Sequence, residues 1–540
     1  MKNIFTTDEK EEKIALRLFD KLYQYAVFMI LTSAFIIINL RMYFPVTNIN
    51  FNVLYGFRPF GIVLFIVFDL VILYKFVLLK LDDSQNIAIS LILIICLFIL
   101  LVLTLINFRV TPSWDFGDVL NGAKNIADKK PLAYREYFEM YPHNLNPAVL
   151  IGLFLRYTGN TYWSPYIMNA IHIMATVIIT YLLSIKILGT KLSTIVTIII
   201  LFCTPVYLYS PIVYTDTLSM PYPVLTIYFW VVAKSSKTQS LPKYLFLYAL
   251  IGIFSAFGYL YKPVAAIGLI AAAFETILRG KTFVFQGSKQ NLGLFIANRI
   301  TPVATSILMF ILVLNIFNTY ASNSGYSNNI HTEKTFPYTH WLMLGSNKPF
   351  NEGGTSYGYG GFSHEDMFYT KSLETYKEKE AETTRIFLQR VRDMGVSGYL
   401  EFLGKKLEYV WNDGTYYVLV KLTREPLNTD PNKITGGEGA SNTLYLIIAQ
   451  LAHSTVLLLM LVVFISSLRG RCNQVSRMMG SMCLGIMVFL LLWEARSRYI
   501  VTLIPIFAVL AGGGIGLLES FNLKKRKVKD KKKILRSGSE

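Results

Sequence analysis

The sequence has little cysteine. It holds four such residues among 540, namely Cys96, Cys203, Cys472 and Cys483. Three of them fall in apolar stretches and one in a basic stretch, and none has a partner at the spacing of metal ligands. We therefore expect no structural disulfide and no zinc site. The charged N-terminal stretch 1–23 lacks a short apolar run followed by a small-residue cleavage site, so a removable signal peptide is not expected.

Charged residues are scarce too, at 16% of the chain, whereas 53% of its residues are hydrophobic and its mean hydropathy is +0.44. This balance excludes an ordinary soluble protein and indicates a chain that crosses a membrane several times. The net charge of +18 does not indicate nucleic-acid binding in such a chain. Cytoplasmic loops of membrane proteins collect Lys and Arg, which accounts for the excess.

About twelve apolar stretches are long enough to cross a membrane as helices. They lie near residues 23–40, 59–79, 86–107, 164–188, 191–208, 216–234, 243–260, 263–279, 301–319, 442–466, 478–494 and 496–518. Lys and Arg collect in alternate connections and in the tail, which predicts that both termini are cytoplasmic. The connections 41–58, 108–163, 209–215 and 320–441 then face the outer side of the membrane.

The predicted fold class is an all-α polytopic membrane protein, which we divide into five segments. These are an N-terminal cytoplasmic segment with two accessory spans (1–85), a transmembrane core that includes the outer loop 108–163 (86–319), a mainly helical outer loop domain (320–441), C-terminal transmembrane helices (442–520) and a basic cytoplasmic tail (521–540).

The outer loop 108–163 carries an acidic pair just after an apolar span. Asp115 follows Trp114, and Asp118 comes three residues later. Carboxylates in this position can deprotonate a hydroxyl or hold a divalent cation. Equally, either one can cap the N-terminus of a helix.

Two further ionisable residues fall at outer turns. Asp216 lies between the fifth and sixth spans, where a single Asp is more often a helix cap. Lys262, held by the following Pro263, lies at the outer end of the seventh span. It can contact a lipid phosphate as a point charge, or simply extend to the membrane interface. If the site holds a metal ion, which the sequence leaves open, Asp118 and Asp216 are its candidate ligands.

A short turn between the last two spans holds Glu494, Arg496 and Arg498, followed by Tyr499. Charges beside apolar helices are costly unless they are paired or used. Arginine suits two-pronged phosphate contacts. Alternatively, Glu494 and Arg498 form an i,i+4 ion pair that holds the turn, and both interpretations are compatible.

The long outer loop 320–441 contains His340 next to Trp341 and a glycine-rich stretch at 353–361. His340 is a candidate for substrate contact, although a structural histidine is the commoner case in a loop. The glycine-rich stretch lacks the strand-then-helix context of a phosphate-binding loop, so a nucleotide cradle is not expected.

Taken in order, these motifs resemble the GT-C superfamily of multispanning glycosyltransferases. Within it they are most similar to bacterial relatives of protein O-mannosyltransferases and of the lipid A aminoarabinose transferase. The resemblance covers residues 86–518, and each motif is weakly specific by itself. Family members often carry Asp-X-Asp or Asp-Glu in the first loop, whereas this chain has Asp-Phe-Gly-Asp. That departure leaves open which acid is the base, and we favour Asp115.

The resemblance implies a GT-C-like helical bundle and a sugar donor linked to polyprenyl phosphate. The acceptor hydroxyl would belong to a cell-wall polymer, a teichoic acid, a lipid-linked glycan or a protein, on the outer face of the cell membrane. Asp115 would act as general base, with Asp118 and Asp216 positioning the acceptor or a divalent cation. The candidate donor- and phosphate-binding residues are Lys262, His340, Glu494, Arg496, Arg498 and Tyr499.

Two other function classes remain open from the sequence. A transporter or flippase for a lipid-linked sugar suits twelve spans, but its polar residues would be expected near the middle of the bilayer. A non-catalytic membrane scaffold would display the 320–441 loop to a partner. In neither case is nucleic acid an expected partner.

Overall fold

The computed structural model describes residues 4–42, 60–132, 134–235, 240–279, 296–326, 332–349, 358–422, 424–427, 440–471 and 473–537. Over these residues the chain is helical, and its extended backbone pairs at one isolated bridge, between Val110 and Pro426. The predicted all-α class is thereby confirmed. Cys472 and the glycine-rich residues 353–357 lie outside the described residues.

Thirteen α-helices lie in the described residues up to position 279. They are α1 (Ile4–Leu40), α2 (Phe60–Leu73), α3 (Asp83–Asn107), α4 (Trp114–Ala127), α5 (Arg135–Met140), α6 (Leu145–Thr158), α7 (Ser164–Leu188), α8 (Thr190–Phe202), α9 (Pro205–Leu208), α10 (Thr215–Leu218), α11 (Pro221–Ser235), α12 (Leu241–Tyr261) and α13 (Ile267–Arg279).

The second half continues with eight more within the described ranges. They are α14 (Thr301–Asn323), α15 (Tyr338–Gly345), α16 (His364–Ser372), α17 (Tyr376–Trp411), α18 (Val418–Leu422), α19 (Ala440–Leu468), α20 (Gln474–Leu492) and α21 (Ile504–Ser537). Short 3₁₀ helices at Pro263–Ala266 and Ser497–Leu503 precede α13 and α21.

Nine helices in the described residues are long and apolar enough to cross a membrane. The other three predicted spans correspond to the shorter helices α8, α11 and α13, of 13, 15 and 13 residues. At about 1.5 Å per residue these cover roughly 20 Å, less than the hydrocarbon thickness of a bilayer. The count of twelve full spans is therefore not confirmed.

Proline explains why these three helices are short. Pro205 follows α8, Pro221 opens α11, and Pro263 separates α12 from α13. Proline lacks a backbone N–H, so it is favoured at the first turn of a helix and disfavoured further inside. Asp216 and Lys262 lie in these two interrupted segments, at 203–220 and 262–266, so neither is inside a long helix.

At the opposite end of the bundle, a buried ion network joins three helices. Arg477 on α20 donates from Nε and Nη2 to the two carboxylate oxygens of Glu275 on α13, each at 2.6 Å. Its Nη1 donates to Asp20 Oδ1 on α1 at 2.6 Å. Arg279 donates to the same Asp20 from Nε at 2.8 Å. Removing one partner of such a network costs about 3–5 kcal/mol, because the remaining charge stays buried.

The 320–441 segment is mainly helical where it is described, as expected from the sequence. Ser363 accepts a hydrogen bond from the Asp366 backbone N–H and so caps α16. The long helix α17 is interrupted at Gly395, whose φ is 61°. Its last residue, Trp411, is buried against Phe35 and Phe507, at ring distances of 5.5 Å each. The segment thus packs directly into the transmembrane bundle.

Candidate active site

Asp115 lies in the first turn of α4, with a side chain that is 38% exposed. Tyr137 Oη donates to Asp115 Oδ1 at 3.3 Å, and Asn144 Nδ2 donates to Tyr137 Oη at 2.5 Å. Arg498 Nη2 lies 3.5 Å from Asp115 Oδ2. The carboxylate is therefore oriented by protein groups yet accessible to a reactant, as a general base must be.

Neither Asp115 nor Asp216 is the N-cap residue of its helix. The N-cap positions of α4 and α10 are Ser113 and Tyr214, while Asp115 and Asp216 lie inside the first turns. The helix-cap alternative considered for these two carboxylates therefore does not describe them. Their side chains are directed to other partners instead.

Tight backbone packing brings the acidic motif close to the preceding chain. A Cβ at Gly117 would lie 2.8 Å from the Pro112 carbonyl oxygen, so a larger residue would push the motif away. Trp114 has a φ of 50°, in the left-handed region that costs a non-glycine residue about 1–3 kcal/mol. The Arg424 guanidinium lies 3.2 Å from the centroid of its indole ring. Strain and stacking together fix the entry to α4.

Asp118 lies one turn further along α4 and is half-buried. Burial, followed by the nearby negative charge of Asp115, raises the pKa of Asp118 from 3.8 to about 6. The acidic pair is thus unequal: Asp115 is partly exposed and faces Arg498, whereas Asp118 is more buried and has a raised pKa.

The raised pKa of Asp118 predicts that the free energy of unfolding depends on pH. A raised pKa means that the folded protein binds the Asp118 proton more tightly than the unfolded chain does. Its stabilising effect is fully present below pH 3.8 and is lost as the pH rises through about 6. We expect Asp118→Asn to unfold at a higher temperature than the wild type at neutral pH, with the difference shrinking toward pH 4. Parallel thermal unfolding curves in detergent test this, and a difference that is constant with pH would contradict the assignment.

Asp216 and Lys262 form a buried ion pair. Lys262 Nζ lies 2.5 Å from Asp216 Oδ1, and the Asp216 Oδ2 atom is buried without a hydrogen-bond partner. Burial alone would raise the pKa of Asp216, but Lys262, Arg498 and Lys421 together hold it below its ordinary value. Burial also lowers the pKa of Lys262, and Asp216 opposes that shift. The ammonium lies 5.0 Å from the Tyr499 ring centroid, which connects the pair to the last turn.

The turn 493–499 is not helical at its start, because Trp493 and Arg496 have extended backbone conformations. The i,i+4 pair considered for Glu494 and Arg498 is consequently absent among the described residues, and that alternative is wrong. Glu494 Oε1 instead accepts from Tyr499 Oη at 3.0 Å and lies 3.9 Å from Arg496 Nε. The Arg498 side chain instead lies next to the Asp115 carboxylate.

Lys406 on α17 fixes this turn from behind. Its Nζ donates to the backbone carbonyls of Gly345 at 2.6 Å, Leu491 at 3.0 Å and Trp493 at 2.7 Å. Burial, opposed by Glu494, lowers the pKa of Lys406 to about 7. The 320–441 segment therefore helps to position Glu494, Arg496 and Arg498.

Lys421 on α18 lies in the same cluster as Asp115, Asp216, Lys262 and Arg498, although no sequence motif indicated it. It is buried, with Nζ 5.4 Å from the Trp114 ring centroid and 5.6 Å from that of Tyr214. Burial, together with the positive charge of Arg498, lowers the pKa of Lys421 to about 7. The available signal in the sequence was a single cation inside the apolar stretch Val418–Leu422.

His340 lies apart from this cluster. Its ring is buried, with Nδ1 2.8 Å from Thr370 Oγ1 and its centroid 4.5 Å from that of Phe336. Burial lowers the pKa of His340 to about 3. The neighbouring Trp341 stacks on Trp493 at 5.7 Å, so this part of the loop supports the turn 493–499 through its tryptophan.

A metal centre finds little support in the side chains at hand. Across the described ranges, no group of three or more His, Cys, Asp or Glu side chains is arranged to hold an ion. Asp216, one of the two candidate ligands, is paired with Lys262. A cation bound between Asp118 and Asp216 would lie beside the positively charged Lys262 ammonium, which disfavours a resident metal at these residues.

A family model described as a conserved hypothetical integral membrane protein matches residues 8–514 of the sequence. The chain belongs to this family. The multi-pass membrane character predicted from composition is thereby confirmed. A comparison with curated proteins gives no match.

Several solved structures are similar to the chain at low identity. ArnT from Cupriavidus metallidurans in the apo state is 13% identical with a TM-score of 0.37, over 80% of this chain and 59% of that one. The archaeal oligosaccharyltransferase AglB from Archaeoglobus fulgidus, in complex with an inhibitory peptide and a dolichol-phosphate, is 11% identical with a TM-score of 0.38, over 82% and 51%. ArnT bound to undecaprenyl phosphate is 11% identical with a TM-score of 0.29, over 80% and 77%. The chain thus spans less than two thirds of the length of the first two.

Proposed function

We propose that the chain is a membrane glycosyltransferase that moves a sugar from a polyprenyl-phosphate carrier to an acceptor hydroxyl. One observation carries the proposal: the accessible carboxylate of Asp115, oriented by Tyr137, lies 3.5 Å from Arg498 at the edge of a cationic cluster. A base next to a concentration of positive charge suits a reaction that removes a proton and releases a phosphate.

In the proposed reaction, Asp115 accepts the proton of the acceptor hydroxyl as the hydroxyl oxygen attacks C1 of the sugar. The bond between C1 and the phosphate oxygen breaks, and its electron pair remains on the departing lipid phosphate. Because the nucleophile enters opposite the leaving group, the configuration at C1 inverts. Asp118 and Asp216 position the acceptor and the cationic side chains.

The cations suit the leaving group in number and kind. Lys262 and Arg498 lie against Asp216 and Asp115, and three further cations lie over neighbouring aromatic rings, namely Lys421, Arg424 and Arg496. Arginine presents a planar fork that matches two phosphate oxygens, and lysine adds a point charge. Glu494 and Tyr499 orient Arg496 and the turn. We leave His340 out of this phosphate site because its polar contact is to Thr370.

We further propose that this site faces the outer side of the cell membrane and that both termini are cytoplasmic. The Lys and Arg distribution supports this orientation. A lipid-linked donor suits that side, where nucleotide sugars are absent. The five segments with boundaries at 85, 319, 441 and 520 remain our proposed division of the chain. The acceptor class is a glycan, a teichoic acid, a lipid or a protein.

The test is a transfer assay with the full chain in nanodiscs and a panel of radiolabelled undecaprenyl-phosphate sugars. A membrane or cell-wall extract serves as acceptor. We expect label to move from one donor to the acceptor in an extract-dependent manner. Saturable donor binding with no transfer from any donor, together with flipping of the labelled lipid, would instead favour a transporter.

A further inference from the structure

A cavity lined by several cations lies beyond the far end of α4. It has a volume of about 550 Å³ and is formed by the turn after α4, by α5 and α6, and by residues 324–326 after α14. Asp115 lies in the first turn of α4 and Lys129 just past its last, so a helix length of roughly 20 Å separates the cavity from the Asp115 cluster. The cavity is therefore distinct from the site described above.

Four cations line this cavity, namely Lys129, Lys130, Arg135 and Arg156, and no acidic residue is among its described lining residues. Two carboxylates lie nearby. Asp128 Oδ2 is 3.2 Å from Lys130 Nζ, and Glu139 accepts from Arg135 at 3.2 Å while also pairing with Lys334. Positive charge is thus in excess around the cavity.

Arg156 contributes a guanidinium without a carboxylate partner among the described residues. It donates to Tyr326 Oη at 2.9 Å and to the Ile126 carbonyl, while its Nε is buried with no hydrogen-bond partner. A guanidinium bonded only to neutral groups retains its full charge for an incoming anion. The rings of Phe138 and Tyr326 add an apolar wall beside it.

Lys129 occupies a backbone position that disfavours it. Its φ is 57°, in the left-handed region where glycine commonly ends a helix. The Lys130 backbone N–H donates to the Asn125 carbonyl at 2.9 Å, which ends α4 and fixes both lysines beside the cavity. In the proposed orientation these cations also lie on the outer side of the membrane, where loops collect fewer Lys and Arg.

We propose that this cavity binds a phosphate-bearing group, either the headgroup of an anionic lipid or a phosphate on a soluble polyol or glycan. The cations contact the phosphate oxygens, and the two aromatic rings contact the carbon skeleton beside them. The proposal is independent of the chemistry at Asp115, since the cavity holds no residue assigned to that reaction.

Hydrogen–deuterium exchange of the full chain in nanodiscs tests the proposal. One arm titrates sn-glycerol 3-phosphate into phosphatidylcholine nanodiscs. The other compares phosphatidylcholine nanodiscs with ones that contain phosphatidylglycerol. We expect protection of residues 120–132 in at least one arm: the first result identifies a soluble phosphate ligand, and the second a lipid headgroup.

The variant pair K129Q/K130Q should weaken this protection by at least about tenfold, since each cation near a phosphate contributes about a factor of five. The matched control is K377Q/K405Q, which removes the same charge from accessible positions on α17. Absence of protection in both arms would overturn the proposal. Equal weakening by the control pair would do so as well, because it would show an effect of net charge alone.

Discussion

Asp115→Asn is expected to lower the rate of sugar transfer by about 10²–10⁴-fold, the usual contribution of a general base. Asparagine keeps the shape of the side chain and can still accept the hydrogen bond from Tyr137, but it cannot take up the acceptor proton. Because the Asp115 side chain is 38% exposed, the substitution should change the unfolding temperature little. The measurement is single-turnover transfer with the donor selected by the nanodisc panel.

The matched control is Asp393→Asn, which neutralises an exposed carboxylate on α17. It should retain wild-type transfer. If Asp115→Asn kept more than about a tenth of the wild-type rate, the loss would be too small for a general base, and Asp115 would be removed from that role. Parallel donor-binding curves separate this outcome from a loss of affinity.

The second large effect is expected at Arg498. Arg498→Gln should lower kcat/KM by about 10²–10³-fold, because it removes a charge placed where the leaving phosphate gains negative charge. The kcat/KM of Arg498→Lys should lie between those of the wild type and Arg498→Gln, since lysine keeps the charge but loses the planar fork. Measuring the transfer rate over a range of donor concentrations gives kcat and KM separately.

Arg392→Gln, at an exposed position on α17, serves as the control for a lost surface arginine. A phosphate-stabilising role predicts that Arg498→Gln lowers kcat more than it raises KM, since the charge develops in the transition state. An unchanged kcat with a raised KM would instead assign Arg498 to ground-state donor binding. Unchanged values of both would exclude it from the site.

Sequence reasoning reached the main polar residues because span alternation places turns on a common face. Asp216, Lys262 and Arg498 each follow or precede an apolar stretch, and counting spans was enough to bring them to one end of the bundle. Asp216 and Lys262 form an ion pair, and the Tyr499 ring lies 5.0 Å from Lys262 Nζ and 5.1 Å from the Arg498 guanidinium. Their roles in catalysis remain predictions.

Other features depended on backbone geometry that a hydropathy pattern does not contain. The extended conformation of Arg496 separates Glu494 from Arg498, so the helical i,i+4 spacing did not apply. Lys421 enters the cluster because Tyr416 and Tyr417 adopt left-handed conformations, with φ of 49° and 66°, just before α18. No local pattern announces such a bend.

The ion network at the opposite end of the bundle has a consequence for how the protein is made. Asp20 and Arg477 are 457 residues apart in the chain. At about 5–20 residues per second, synthesis takes roughly 20–90 s to deliver the arginine after the aspartate has emerged. Arg279 is synthesised only after more than half of that interval, so until then Asp20 has neither of its arginine partners. We therefore expect α1 to remain loosely packed during membrane insertion until α20 has been inserted and Arg477 can pair with Asp20.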